Sequence, residues 1–428
     1  MDITVHRGTR QIGGTCIEVR SGGDRVLLDL GLPLPKPDEP PVRDMAVDDL
    51  LASGVLPRIT GVYQDDAPEV RAVLMTHAHS DHFGLAPYVH PSIPIYATQG
   101  TWAAQRVLRI FTRTAPAAPD QRLLDTTAPL ILGGLSVQAV TVDHSGCDAV
   151  ALVVEGDGRR VLYTGDLRAH GRKGRLFQAL IDGFSGTVDL LVVEGTMLGR
   201  PSENVLTESE LEMRFVGAFR GEHHLCVIFC SSLNLDRLVT IYRACKRTAK
   251  TMVIDPYTAL VLREHLCVSQ HFPQWHWEEV RVVPWGYQQE CLKEGGEGAF
   301  LDEMRPAFIG WREIRRRQRD LVLLMRTNSL VSRLEEQFGD EVKDMSFIWS
   351  MWKGYWEQDM HVRPLCERHG IEPQFLHTSG HATWDDLKRL VDGIRPRAIV
   401  PVHTEHAHVY ASAFPNVRLL EDGEPMSV

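Results

Sequence analysis

Between residues 76 and 82 the chain reads Thr-His-Ala-His-Ser-Asp-His, which places four ligand-type side chains, His77, His79, Asp81 and His82, within six residues. The apolar run 72–75 precedes it and reads as a strand, so the cluster falls on the loop at a strand end. Such a loop can aim His77 and His79 at one ion while Asp81 and His82 turn toward a neighbour, a spacing that suits two ions. Imidazole and carboxylate donors favour zinc or another first-row metal and leave positions open for water, whereas a structural zinc site closes its shell with thiolates. The bland alternative is a set of solvated side chains on a loop, and four ligand types so spaced argue against it. His144, after the strand-like run 135–142, and Asp166, after the run 160–163, also sit at strand ends, where loops collect catalytic groups; each alone is an ordinary polar residue.

Residues 1–200 read as short strands punctuated by glycine, at 15–20, 26–30, 72–75, 93–97, 135–142, 149–155 and 160–163, with Gly156-Asp157-Gly158 turning a hairpin between the last two. The stretch 33–68, rich in Pro and Asp, reads as a surface insertion. Past residue 205 strand-like runs at 225–230, 252–255, 280–284, 321–325 and 346–349 alternate with helix-length segments, the first opened by the capping box Thr207-Glu208-Ser209-Glu210. That alternation signals parallel βαβ units. Two last strands, 374–376 and 398–402, flank a helix at 383–394.

At 428 residues, the chain has room for two or three domains, and a formal charge of −10 argues against a nonspecific nucleic-acid coat. No run approaches the roughly 18 apolar residues of a membrane span, and the opening Met1-Asp2-Ile3-Thr4-Val5-His6-Arg7 lacks a signal-peptide pattern, so the expectation is a cytoplasmic protein with no membrane association. The eight cysteines form no C-x-x-C pair and read as reduced thiols.

The order and context of Asp29 in Val26-Leu27-Leu28-Asp29, the His77/His79/Asp81/His82 loop, His144 and Asp166 closely resemble the metallo-β-lactamase superfamily. The resemblance implies an α/β fold, the αβ/βα sandwich. It also implies two zinc ions, with Mn2+ as an alternative: His77, His79 and His144 on the first, Asp81 and His82 on the second, and Asp166 bridging them. Asp29 would orient the His loop from behind. The α/β stretch after Asp166 further resembles the inserted domain of the β-CASP nucleases, with Glu194, His381 and His403 at their three motifs, and His377-Thr378-Ser379-Gly380-His381-Ala382 with Pro401-Val402-His403-Thr404-Glu405 is most similar to bacterial and archaeal RNase J. The implied domains are 1–203 and 363–428 for the metallo-β-lactamase part and 204–362 for the insertion.

What the resemblance implies is hydrolysis of an RNA phosphodiester by a metal-bridging hydroxide, leaving a 5′ phosphate. His403 completes the second zinc, Asp81 joins the catalytic set, His381 protonates the departing oxygen, and Glu194 holds its imidazole. Read without the family, Glu194 is a capped strand end and His381 a polar residue entering a helix. Histidine at position 403 favours RNA, single-stranded by preference, over DNA. A DNA nuclease of repair or defence, a non-cleaving nucleic-acid-binding subunit and a small-molecule hydrolase are the competing readings, and a homodimer or protein partner stays open. Ser231, Ser232 and Asn234, and His377, Ser379 and Gly380, are candidates to grip substrate phosphate, against simple helix capping.

The basic run Arg312 to Arg319 reads as a solvated helix or the lining of an RNA channel, and the aromatics Trp349, Trp352, Tyr355 and Trp356 as core, partner packing or a base-stacking surface. His406 and His408 read as surface residues. Two segments depart from the family: Arg326-Thr327-Asn328-Ser329 stands where RNase J has a Thr-Gly-Ser type loop, and Ser350-Met351-Trp352-Lys353-Gly354-Tyr355 where it has a Pro-rich one. With no C-terminal domain expected after residue 428, the expectation shifts from processive 5′ exonuclease action toward an endonuclease, or a subunit with a specialised target.

Overall fold

The computed structural model describes residues 1–34, 42, 45–64, 66–114, 120–200, 205–221 and 224–428. Three sheets organise it. The first runs in spatial order through Pro425–Ser427, Asp2–Arg7, Cys16–Ser21, Asp24–Leu28, Ala72–Leu74, Ile95–Ala97 and Gln121–Leu123, and the second through Ala398–Val402, Leu190–Glu194, Arg159–Tyr163, Val150–Gly156, Leu135–Thr141 and Leu130–Leu132. Side chains alternate across a strand. Ile3, Val5, Ile17, Val26 and Leu74 from the first sheet therefore meet Val137, Leu152, Val161, Val192 and Val400 from the second in one shared core.

The opposite faces are covered by helices. Phe177, Leu180, Leu387 and Val391, from Arg175–Phe184 and Trp384–Ile394, cover the second sheet; Leu50, Phe83 and Leu85 cover the first. This four-layer αβ/βα sandwich is the expected architecture. The hairpin is present too: Arg159 pairs with Gly156, and Asp157 and Gly158 both adopt positive φ, which gives the two-residue turn the twist its strands need.

The third sheet, in the order Val280–Val282, Thr251–Ile254, Leu321–Met325, Cys226–Phe229, Ser346–Trp349, Gln374–Phe375, is parallel throughout, as the alternation required. Cys226 and Ile228 point to one helix-covered face, Val227 and Phe229 to the other. Helix Glu208–Phe219 opens with the capping box: the Thr207 hydroxyl accepts from the Glu210 N–H, and the Glu210 carboxylate accepts from the Thr207 N–H.

Three expectations shift. Helix Val362–His369 buries Val362, Leu365 and Cys366 against the third sheet, and Gln374–Phe375 pairs with Ser346–Trp349, so elements of the inserted sheet continue past residue 362. The other expected boundary, 203/204, lies outside the described residues. Where 33–68 is described it is more than surface loop, because helix Val47–Ala52 and the residues after it bury Leu50, Leu56, Ile59, Val62 and Tyr63 on the outer face of the first sheet. The strands Asp2–Arg7, Gln121–Leu123, Leu130–Leu132 and Pro425–Ser427 were not anticipated; the first carries a clear alternation of buried Ile3 and Val5.

Helix Gln99–Thr112 ties the two bodies together. Trp102 packs with the outer core of the first sheet, while Val107, Ile110 and Phe111 enter the core of the inserted sheet. Among the described residues no helix is long and apolar enough to cross a membrane, and the eight cysteines are unpaired.

Candidate metal centre

The strand Ala72–Leu74 delivers Thr76 and His77 into the site, and the chain then turns into the short helix Ser80–Phe83, which brings the His82 ring to 4.3 Å from that of His77 and sets Asp81 and His82 beside His403. His77 Nε2 and His144 Nε2 lie 3.1 and 3.2 Å from His79 Nδ1, so three imidazoles converge. Ligand atoms of His77, His79, His144 and Asp166 lie within 4.8 Å of one another, as do those of Asp81, His82 and His403, and those of Asp166, Glu194 and His381. One oxygen of Asp166 stands between the first two groups, 3.1 Å from His82 Nε2, 3.6 Å from His77 Nε2 and 3.9 Å from His144 Nε2. All seven expected metal ligands are thus brought together at the carboxyl ends of strands from both sheets.

The backs of the imidazoles are fixed, which leaves their other nitrogens facing inward. His144 Nδ1 donates to the Gly380 carbonyl at 2.6 Å, and His82 Nδ1 donates to Asp29 at 2.7 Å. His403 Nδ1 meets the Thr15 hydroxyl at 2.7 Å. Asp29, fully buried, also accepts from the Thr76 N–H and the Tyr163 hydroxyl, both at 2.7 Å, so it stands behind the His loop as expected. Asp29 (φ 59°) and His403 (φ 55°) both take the left-handed backbone conformation, a strain that concentrates at functional positions. A Cβ on Gly31 would strike the Asp81 carbonyl, so this crossing requires glycine.

Burial and then the neighbouring imidazoles push His77 and His144 well below the ordinary histidine pKa, leaving neutral lone pairs. Burial also works against a charge on His82, but the flanking Asp166 and Asp29 carboxylates outweigh it and raise its pKa. Asp166 is driven the other way: burial opposes its charge, yet His82 and its neighbours hold it well below the carboxylate range. The donor set fits bound metal on a further ground. His82 Nε2, His403 Nε2 and both oxygens of Asp166 are buried without a hydrogen-bond partner, and such atoms are costly unless something they ligate lies between them.

His381 sits at the mouth, its side chain 21% exposed, with Nδ1 3.1 Å from Glu194 and 3.7 Å from Asp166. Burial lowers its pKa, but Glu194 and then Asp166 raise it to about 9. Glu194, at the end of Leu190–Glu194, also accepts from the N–H groups of Leu167 and Thr196.

The two loops expected to grip phosphate are largely engaged elsewhere. Ser232 turns its hydroxyl 2.7 Å from that of Thr258, Asn234 caps helix Leu235–Arg247 by accepting from the Arg237 N–H, and only Ser231 is exposed. His377 Nδ1 lies 3.4 Å from Arg237; burial and then that guanidinium push its pKa down to about 3. The Ser379 hydroxyl accepts from the His381 N–H and donates to Met197 Sδ, while the Gly380 carbonyl orients His144. These side chains build the site from inside, Asn234 by capping a helix and the others by bonding neighbouring side chains and backbone. Of the basic run, Arg315 pairs with Glu341 and Arg317 with Glu313, as on a solvated helix. His408 is exposed, but half-buried His406 packs over Gly199.

Sequence reasoning missed Thr15, Thr76, Tyr163, Arg168, Glu208 and Arg237. Arg168, fully buried, donates to Asp143, Asp236 and the Ser379 carbonyl; Arg237 donates to Glu208, Ser350 and the Thr378 carbonyl. Thr76 and Arg168 had a signal in their adjacency to His77 and Asp166, but nothing marked Thr15 or Glu208.

Comparison with known proteins bears on this arrangement. Residues 44–221 match the beta-lactamase superfamily domain, and residues 372–414 match the RNA specificity domain of Zn-dependent metallo-hydrolases. Ribonuclease J of Mycolicibacterium smegmatis is 25% identical over 96% of this chain and 70% of its own length. The chain is similar to the metallo-β-lactamase superfamily, in its β-CASP, RNase J-like branch. Ribonuclease J of Helicobacter pylori is 21% identical over the whole of this chain and 60% of the relative, and an RNase J-like protein of Methanocaldococcus jannaschii is 27% identical over 49% of the chain and 46% of the relative. A solved structure of an Enterococcus faecalis V583 protein of unknown function shares the fold, with a TM-score of 0.80 at 22% identity over 99% of both chains.

Proposed function

We propose that the protein is a zinc-dependent ribonuclease that hydrolyses RNA phosphodiester bonds and leaves 5′-phosphate products. The observation that carries this reading is the Glu194–His381 pair, 3.1 Å apart, set against Asp166 at the edge of two converging ligand groups. The similarity to proteins named Ribonuclease J and to an RNA specificity domain favours RNA as the substrate class.

His77, His79 and His144 would hold one cation, Asp81, His82 and His403 the other, with Asp166 reaching both. Such a cation pair, when bound, activates water at neutral pH and neutralises charge on the phosphate. The chain's own residues do the rest. Glu194 fixes His381 through Nδ1, which leaves Nε2 to hand a proton to the departing 3′ oxygen as the P–O bond breaks. The Gly380 carbonyl keeps His144 in the tautomer whose Nε2 faces inward. Asp29, Thr76 and Thr15 hold His82, His77 and His403, so little reorganisation of these rings is left for the reaction itself.

One RNA, labelled separately at its 5′ and 3′ ends and offered beside DNA of the same sequence, tests the proposal. We expect metal-dependent cleavage of RNA with 5′-phosphate products, and the sizes of the labelled fragments distinguish internal cleavage from stepwise removal at one end. Cutting of DNA alone, or RNA binding without cutting by zinc-loaded protein, overturns it.

A further inference from the structure

The segment after the strand Ser346–Trp349 builds an aromatic corner beside the metal centre. Trp349 is buried and donates through Nε1 to the Trp352 carbonyl at 3.3 Å, anchoring the turn from below. Trp352 and Tyr355 then stand outside the core, 43% and 57% exposed, with ring centroids 5.4 Å apart at 86°. Gly354 lies flat against the Trp352 ring, where a Cβ would collide with it. The Arg200 guanidinium lies over the Trp352 ring, 4.5 Å from its centroid.

Each part of this corner is tied to the catalytic groups. Arg200 ends the turn that begins at Glu194, a turn on which Met197 meets the Ser379 hydroxyl and Gly199 packs on His406. Ser350, which opens the aromatic segment, is held by Arg237 and donates to the Leu376 carbonyl, one residue before the loop that carries His381. The corner also lies past the carboxyl ends of the parallel strands of the inserted sheet, where open α/β sheets take their ligands.

Exposed aromatic rings are costly surface unless something covers them. A partner that fits a rigid ring face, an edge-on second ring and a guanidinium within one short segment is a nucleotide: the base stacks and the phosphate pairs with the cation. Resting on the ribonuclease reading, we infer that Tyr355 and Trp352, with Arg200, form a platform that stacks a nucleobase of single-stranded RNA next to the scissile phosphodiester. Tyr355 offers the stacking face, Trp352 the wall, and Arg200 the contact to the neighbouring phosphate. Stacking does not read base identity, so the platform selects for unpaired strand rather than for sequence.

The test measures binding of a fluorescent, phosphorothioate-stabilised oligoribonucleotide to the zinc-loaded protein, in intact form and with single abasic nucleotides placed along it. We expect one abasic position to weaken binding roughly tenfold, within the range for loss of one stacked base. Tyr355→Ala should weaken the intact oligonucleotide by a similar factor and be indifferent to the abasic position, while Tyr355→Phe, which keeps the ring, should behave as the native protein. Equal affinity of native and Tyr355→Ala proteins, or absence of RNA binding by the native protein, overturns the platform. Unchanged RNA affinity with an altered oligomeric mass assigns the corner to a protein partner and overturns it as well. RNA that binds with the stacking signature but is never cut sinks the ribonuclease reading instead, so the two failures are distinguishable.

Discussion

His144 Nδ1 donates to the carbonyl of Gly380 at 2.6 Å, which joins a metal ligand at the end of a second-sheet strand to the returning loop one residue before His381. The imidazole that would hold a cation and the imidazole assigned to the leaving group are therefore set by the same short turn, their rings 5.2 Å apart. Neither can be repositioned alone.

Removing the proton donor should separate these roles. His381→Ala takes away Nε2 without touching the two ligand groups, so zinc content should stay native while turnover falls about 10²- to 10⁴-fold. Glu194→Gln keeps the shape and loses the charge that holds the ring, and should lose part of that factor. Turnover that survives His381→Ala would remove the residue from catalysis.

Asp29 accepts four side-chain or backbone donors behind the His loop. Asp29→Ala frees His82 to rotate and should weaken zinc affinity by about 10- to 100-fold. Titration against a competing chelator measures it; native affinity would show that the loop holds itself.

Gly31→Ala should affect one seat more than the other. The added methyl meets the Asp81 carbonyl and the Thr15 backbone N, both on the side of the Asp81/His82/His403 group, so Asp81 must move, and none of its three nearest atoms belongs to His77, His79 or His144. We expect metal analysis to show one equivalent lost and one retained; loss of both or neither contradicts that division.

Glu208 gives a pH dependence. Burial would raise its carboxyl, but Arg237 and Arg168 hold it at about 2 against an ordinary value of 4.5. Its folded pKa is depressed, so the charged pair stabilises the fold fully above pH 4.5 and that contribution disappears as pH falls toward 2. The stake is on the order of 3 kcal/mol for a fully buried group. Thermal unfolding of Glu208→Gln should show lower stability at pH 7 and a flatter decline through that acid window; parallel curves would contradict it.

What the sequence made legible follows from locality. His77 to His82 lie on one loop and announce their chemistry by spacing, and the capping box at Thr207 works through neighbours three residues apart. Glu194, His381 and His403 are ordinary polar residues until the fold joins them, and only their likeness to a known family connected them. Thr15 bonds His403 across 388 positions, a relation no local pattern carries. The limit at residue 362 missed because Val362–His369 has the amphipathic rhythm of any surface helix, and which sheet it covers is a tertiary matter. Ser232 and Asn234 looked like phosphate donors because capping and anion binding use the same residues at the same helix end.

Helix Gln99–Thr112 contributes Trp102 to one core and Phe111 to another, so the sandwich and the inserted sheet cannot swing apart without unpacking it. Among the described residues, any motion that parts the two bodies has to pull Trp102 or Phe111 out of its core.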